Sequence, residues 1–190
     1  MSKELDLKGM WQMLMGARSL GLVSHVSPDG DTLGACLGLA RVLQGQGKAV
    51  RLFVDDDVPE NMDFLPGISG YERPQAEAFQ DFDLVVSVDA SSADRMGLCE
   101  KTLRGTLVNI DHHISNTRYA EYLLLDPEAC ATGEIIYDML QANGIAIDDG
   151  TALCLYVAIV TDCGYFKYAN TTVKAMRAGA DLLGHGIRPA

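Results

Sequence analysis

Apolar residues recur along this chain with two different periods. Short runs of β-branched and aliphatic residues stand at Gly21–Val26, Ala49–Val54, Leu84–Val88, Thr106–Ile110 and Tyr122–Leu125. Runs of this length, bounded by turn residues, read as buried strands. Between them, Thr32–Gln46, Asp94–Leu103, Thr132–Ala142, Gly150–Val160 and Thr171–Leu183 carry helical spacing. A leading helix is expected over Leu5–Ala17, with Leu7, Met10, Trp11 and Leu14 at helical intervals. Gly45-Gln46-Gly47 and Asn143-Gly144 supply helix stops, and Gly184 ends the last helix. The Pro and Gly punctuation of turns lies in Val58–Pro74 and Pro127–Ala131.

Strands that alternate with helices imply βαβ crossovers. The expected fold is therefore α/β, a three-layer domain with a mainly parallel five-stranded sheet flanked by helices. In such open sheets, functional residues gather at the carboxyl ends of the strands. No internal repeat, low-complexity segment or interdomain linker interrupts the pattern. The close at Gly186–Ala190 reads as the start of a linker.

The 190 residues are 48% hydrophobic and 22% charged, ordinary globular values that exclude disordered and fibrous classes. Fifteen basic against 26 acidic residues give a formal net charge of −11. That argues against a duplex-DNA binder, which needs surplus Lys and Arg for phosphates. Small anionic substrates stay open if metal ions neutralise an acidic site. Five unpatterned cysteines (Cys36, Cys99, Cys130, Cys154, Cys163) fit a reducing compartment better than a disulfide framework. The first nine residues lack the apolar core of a signal peptide, and the longest apolar stretch, Ala152–Val160, is too short to span a membrane. A soluble cytoplasmic protein is expected.

The chemistry clusters near strand ends. The first strand runs into His25 and then Pro28-Asp29-Gly30-Asp31; the third ends at Asp89; the fourth ends in Asp111-His112-His113. Asp162 closes a strongly apolar helix. Plainer readings exist: Asp29 and Asp31 could form a turn and cap the next helix, and Asp89 could cap the helix after it. Asp162 is harder to dismiss, because a carboxylate at a helix C-terminus opposes the dipole and calls for a positive neighbour. Three of the four histidines sit beside aspartates at these ends, and His185 alone reads as an ordinary tail residue. Oxygen and imidazole donors suit Mn²⁺, Mg²⁺ or a similar ion, whereas thiolates would suggest zinc. The clusters could converge on a two-metal site in which one carboxylate bridges the ions. Asp55-Asp56-Asp57 superficially resembles the acidic pocket of a phospho-acceptor receiver domain, but a solvated loop is the expected reading.

At these residues the sequence resembles the DHH phosphoesterase family. Its name-giving motif stands as Asp111-His112-His113, followed at a short interval by Asn116. The first motif is met by His25, Pro28, Asp29 and Asp31, the second by Val88-Asp89, and the fourth by Thr161-Asp162 with the string running to Thr171. All four occur in order and span nearly the whole chain. The pattern is most similar to the branch of bifunctional oligoribonucleases and 3′-phosphoadenosine 5′-phosphate (PAP) phosphatases, the nanoRNases. Two departures are visible: Ala35 where Ser is frequent and Cys163 where Thr is common. The resemblance further implies residues 1–185 as a catalytic domain and residues 186–190 as the start of a linker to a C-terminal substrate-binding domain that is absent.

The resemblance implies two divalent ions, Mn²⁺ with Mg²⁺ as the alternative. One is given to His25, Asp29 and Asp89; the other to Asp31, Asp89, His112 and Asp162, with Asp89 bridging. Asp111 is read as a carboxylate that orients a histidine. His113 then faces the substrate, stabilising phosphate charge or aiding proton transfer, so the catalytic set is His113, Asp111 and Asp89. A hydroxide bridging the ions would attack phosphorus in line. The implied activity is hydrolysis of short oligonucleotides to mononucleotides and of PAP to AMP. The implied partners are short single strands of RNA or DNA or nucleotide phosphates, with no duplex DNA, no membrane, and room for a homodimer. The rival readings are a pyrophosphatase, a cyclic-dinucleotide phosphodiesterase, a single-strand exonuclease core, a metal-binding signalling domain or a catalytically silent scaffold.

Overall fold

The apolar runs fold into strands that are buried on both faces, as a sheet covered from two sides requires. A computed structural model, describing residues 2–76 and 79–188, places seven strands in chain order. They are β1 (Lys3–Glu4), β2 (Ser19–Ser24), β3 (Ala49–Phe53), β4 (Tyr71–Glu72), β5 (Gln80–Val88), β6 (Leu103–Asp111) and β7 (Tyr122–Leu125). They form one sheet in the order β1-β7-β6-β5-β2-β3-β4, and every pairing is parallel. The five expected strands are all present. The sheet is wider than expected because two-residue strands join each edge, too short to leave a period in the sequence.

Six α-helices accompany them: α1 (Leu7–Gly16), α2 (Gly30–Gly45), α3 (Cys99–Thr102), α4 (Thr132–Ala142), α5 (Asp149–Asp162) and α6 (Val173–Leu183). Among the described residues, no helix is long and apolar enough to cross a membrane. The two sheet faces are unequal. Leu20, Leu22, Leu84, Val86, Val108 and Ile110 face the large core made with α1, α2, α4 and α5. Their neighbours Val23 and Val85 face a smaller cluster with Phe53, Met96, Cys99 and Leu103. That alternation is the period-two signature of a strand.

One expectation changes and a second is refined. The helix anticipated over Asp94–Leu103 is broken into a 3₁₀ turn (Ala93–Met96) and the single turn α3. Gly97 between them has φ +56°, and a Cβ there would lie 2.4 Å from Asp55 Oδ2. That same oxygen accepts the Leu98 N–H at 2.8 Å, so a distant carboxylate sets the break. The Asp55–Asp57 run is the expected loop, with Asp57 98% exposed, but it does more than face solvent. Asp56 accepts the Ser27 N–H at 2.6 Å, and Asp57 pairs with Arg73. The chain beyond α6 is described through residue 188, so Pro189 and Ala190 of the anticipated linker lie outside the described residues.

Helices α2 and α5 approach closely because α2 presents glycine at every fourth position. Cβ atoms at Gly30, Gly34 and Gly38 would meet Thr161 Oγ1 at 2.4 Å, Cys154 O at 2.4 Å and Leu155 Cδ2 at 2.8 Å. The start of α2 thus lies against the end of α5. This contact carries Asp29 and Asp31 toward Asp162.

Candidate metal centre

Parallel pairing puts the carboxyl ends of β2, β5 and β6 side by side, and the strand order reverses between β2 and β5. Ligand sites of open α/β sheets form at such a reversal. His25 follows β2, Asp89 follows β5, and Asp111 ends β6 with His112 and His113 immediately after. Asp89 adopts φ +63°, a left-handed conformation that Asp tolerates better than most residues, while its N–H still donates to Ile110 O at 2.9 Å. Asp29 is the N-cap of α2, accepting from the Asp31 and Thr32 amides at 3.0 and 3.2 Å. Capping leaves its side chain free to serve in a second role, and Asp29 remains 58% exposed.

These residues converge as three overlapping groups: His25, Asp29 and Asp89; Asp31, His112 and Asp162; and, linking those two, Asp89, His112 and His113. Within each group the candidate ligand atoms lie within 4.8 Å of one another. Asp89 Oδ2 is 3.5 Å from His25 Nε2, and its Oδ1 is 3.6 Å from His112 Nε2. The carboxylate therefore turns one oxygen toward each of the first two groups.

His112 makes the test of fit. Its Nδ1 lies 3.2 Å from the Ala129 carbonyl, a contact that places the proton there and leaves Nε2 with a lone pair. That Nε2 is buried and has no hydrogen-bond partner among the described residues. It faces Asp31, Asp89 and Asp162 oxygens at 3.9, 3.6 and 3.7 Å. A lone pair facing three anionic oxygens is repelled by each unless a proton or a metal cation lies among them. The donor set, carboxylate with imidazole, suits a divalent ion of the Mn²⁺ or Mg²⁺ kind. The residues present fit such a group. No cysteine joins these groups among the described residues, and burial pushes the Cys36, Cys99 and Cys154 thiols up to about 12 and Cys130 higher still.

The electrostatics point the same way. Burial holds the Asp31 carboxyl well above its ordinary range, and the charges of Asp89 and Asp162 add to it. Burial likewise raises Asp162. Asp89 feels burial most strongly, but the hydrogen bond from His25 and the three nearby imidazoles bring it below its usual value. A cluster of this kind relaxes by taking up protons or a cation.

Asp111 belongs to none of these groups; it serves His113. Its Oδ1 is 2.7 Å from His113 Nδ1, and its Oδ2 accepts from Asn116 Nδ2 at 2.6 Å. Asn116 Nδ2 also reaches Asn109 Oδ1 at 2.7 Å. The Asp111 hydrogen bond raises His113 to about 9, and the ring stays 41% exposed. The positive neighbour that Asp162 calls for would be a cation held between it, Asp31 and His112. His185 belongs to none of these groups. Ala35 and Cys163 are both buried and place no polar group in the site.

Around the site, Arg95 and Thr132 carry no motif signal, whereas Asn170 lies in the fourth motif's string. Arg95 Nη2 stands 2.9 Å from His25 Nδ1, which is also 2.8 Å from the Val26 carbonyl. Asn170 Nδ2 contacts Asp162 O and Oδ2 at 3.2 and 3.4 Å. Thr132 donates its hydroxyl to Asp89 Oδ1 at 2.8 Å. The missing cap before Thr132, where Ala131 stands, was the one signal available in the sequence.

Residues 20–159 match the DHH family, N-terminal domain. A curated relative from Thermus thermophilus, named bifunctional oligoribonuclease and PAP phosphatase NrnA, is 33% identical over 89% of this chain and 51% of its own length. A protein of Enterococcus faecalis named "Probable manganese-dependent inorganic pyrophosphatase" is 27% identical over 83% of this chain and 53% of its own length. Among solved structures, an exopolyphosphatase-related protein from Bacteroides fragilis superposes with a TM-score of 0.88 at 25% identity. That match covers 96% of this chain and 57% of the other. The chain spans about half the length of the curated relatives it matches.

Proposed function

The chain belongs to the DHH family, and from that premise we propose that it is a phosphoesterase dependent on two divalent ions. Its substrates on this reading are short oligonucleotides, cut to mononucleotides, and PAP, cut to AMP, as the name of the Thermus relative suggests. Mn²⁺ is favoured over Mg²⁺ by the name of the Enterococcus relative. The observation that carries the proposal is the buried, unpartnered Nε2 of His112 facing three carboxylates.

His25, Asp29 and Asp89 would hold one ion, and Asp31, Asp89, His112 and Asp162 the other. Such a pair of ions supplies a water nucleophile at neutral pH and neutralises charge on the phosphoryl group. The protein's own part is positioning and proton handling. Asp89 splits its oxygens between the two groups and so fixes their spacing. Asp111, buried and held by Asn116, fixes the His113 ring through Nδ1. That leaves Nε2 of a half-exposed imidazole to donate to a phosphoryl or leaving-group oxygen. Residues 1–185 act as the catalytic half on this reading, and a second domain would grip the nucleotide. A net charge of −11 favours short single strands over duplex DNA.

The test is hydrolysis of a labelled dinucleotide, PAP, pyrophosphate and cyclic di-AMP side by side with Mn²⁺. Turnover of the first two, lost in His112→Ala, is expected. Hydrolysis confined to pyrophosphate or cyclic di-AMP would replace the substrate assignment. Absence of both turnover and Mn²⁺ binding would overturn the proposal.

A further inference from the structure

Four of the six proposed ligands lean on one stretch that supplies none of them, Ala129–Gly133. The Ala129 carbonyl lies against His112 Nδ1 at 3.2 Å. The Cys130 carbonyl accepts from Asn170 Nδ2 at 3.1 Å, the amide that also contacts Asp162. Helix α4 begins with Ala131 at its N-cap and so has no side chain to satisfy its first amides. Asp31 takes that place from 101 residues away: the Thr132 N–H donates to its Oδ2 at 2.7 Å and the Gly133 N–H to its Oδ1 at 2.9 Å. The Thr132 hydroxyl meanwhile donates to Asp89 Oδ1 at 2.8 Å.

The stretch is itself fastened. Glu134, fully buried, accepts the Cys130 N–H at 2.8 Å, and its other carboxylate oxygen is 3.6 Å from Lys174 Nζ on α6. Gly133 admits no side chain, since a Cβ would lie 2.4 Å from Ala158 Cβ on α5. The head of α4 is thus held rigidly against the carboxylates.

We propose that Thr132 is a positioning residue for the two-ion centre. Its hydroxyl turns Asp89 so that one oxygen serves each ion, while its amide orients Asp31. The inference rests on the two-ion reading above and adds to it the residue that sets the bridge. A carboxylate free to rotate could offer both oxygens to one ion. The hydroxyl removes that freedom before any ion arrives.

Calorimetric Mn²⁺ titration of wild type, Thr132→Val and Thr132→Ser tests this, with metal-free melting temperatures measured in parallel. Thr132→Val should weaken at least one ion by about 10- to 100-fold, the usual effect of removing a group that orients a ligand, and Thr132→Ser should stay within about threefold of wild type. Thr132→Ala removes the same hydroxyl without crowding and serves if Thr132→Val does not fold. A merely structural hydroxyl would lower the metal-free melting temperature and leave both ion affinities alone. Two ions bound at wild-type affinity in Thr132→Val overturns the assignment alone. Fewer than two ions in wild type overturns the two-ion reading and the assignment together.

Discussion

Replacing Gly34 with alanine sets two physical effects against each other within one helix. By intrinsic preference alone, Gly→Ala in a helix interior stabilises by about 0.8–1.0 kcal/mol. At Gly34, however, the new Cβ would sit 2.4 Å from the Cys154 carbonyl oxygen and 3.1 Å from Ala158 Cβ and N. Ordinary contact begins near 3.4 Å, so α2 and α5 must separate locally by about 1 Å. The obstacle is backbone and cannot rotate aside. Overpacking of this kind costs about 1–3 kcal/mol, and the rigid obstacle places Gly34 at the upper end. The net expectation is a loss of about 2 kcal/mol after the helix preference is subtracted. For a chain of this size that lowers Tm by about 4–8 °C. Gly45, in the same helix with nothing within 4 Å of its Cβ position, is the control. Gly45→Ala should raise stability by up to about 1 kcal/mol. Urea and thermal melts in chelator measure both. Gly34→Ala at wild-type stability or above would refute the packing argument. Because Asp31 lies one turn before Gly34, the displacement should also weaken Mn²⁺ binding.

Asp89→Ala should reduce binding of both ions and Asp29→Ala chiefly of one, by calorimetric titration; normal two-ion occupancy in Asp89→Ala would refute the bridge. In metal-free protein the His113 imidazole should titrate near 9, read by NMR, and Asp111→Asn should move it back toward the free value of about 6.5. Its folded value is the higher one, so its stabilising contribution is complete below about pH 6.5 and is lost as pH rises through about 9. A wild-type midpoint near 6.5 would refute the Asp111 contact. Mn²⁺ affinity should fall as pH drops, because only a neutral imidazole can ligate and His25, which burial alone would lower, is held above its free value by its contact with Asp89. Affinity independent of pH would remove His25 from the ligand set.

How much of this was legible in the chain depends on the range of the forces involved. Each of the five long strands and five of the six expected helices announce themselves, because their pattern comes from neighbours two to four residues apart. The carboxylates and histidines at strand ends are legible for the same reason. Their types sit within a few residues of a predictable strand terminus, and parallel pairing then carries His25, Asp89 and Asp111 to one edge.

What the sequence by itself determined is therefore the α/β alternation, the parallel sheet and which residues reach its functional edge. What only the tertiary structure decided is how those residues are held there. The break at Gly97 is set by Asp55, 43 residues from Leu98, where propensity alone favours a continuous helix. The loop Asp55–Asp57 gains a structural part through Asp55 and Asp56, because their partners Leu98 and Ser27 come from two other segments, while Asp57 stays exposed beside Arg73. Thr132 escaped notice because a lone hydroxyl has no pattern of its own, and Asn170, though it stands in the fourth motif's string, gives no sign there of its contact with Asp162. Thr132 meets Asp89 across 43 residues and Asp31 across 101. Hydrogen bonds at such separations exist only once α2, α4 and α5 have packed, and it is the glycine-to-backbone contacts between those helices that bring the donors within reach.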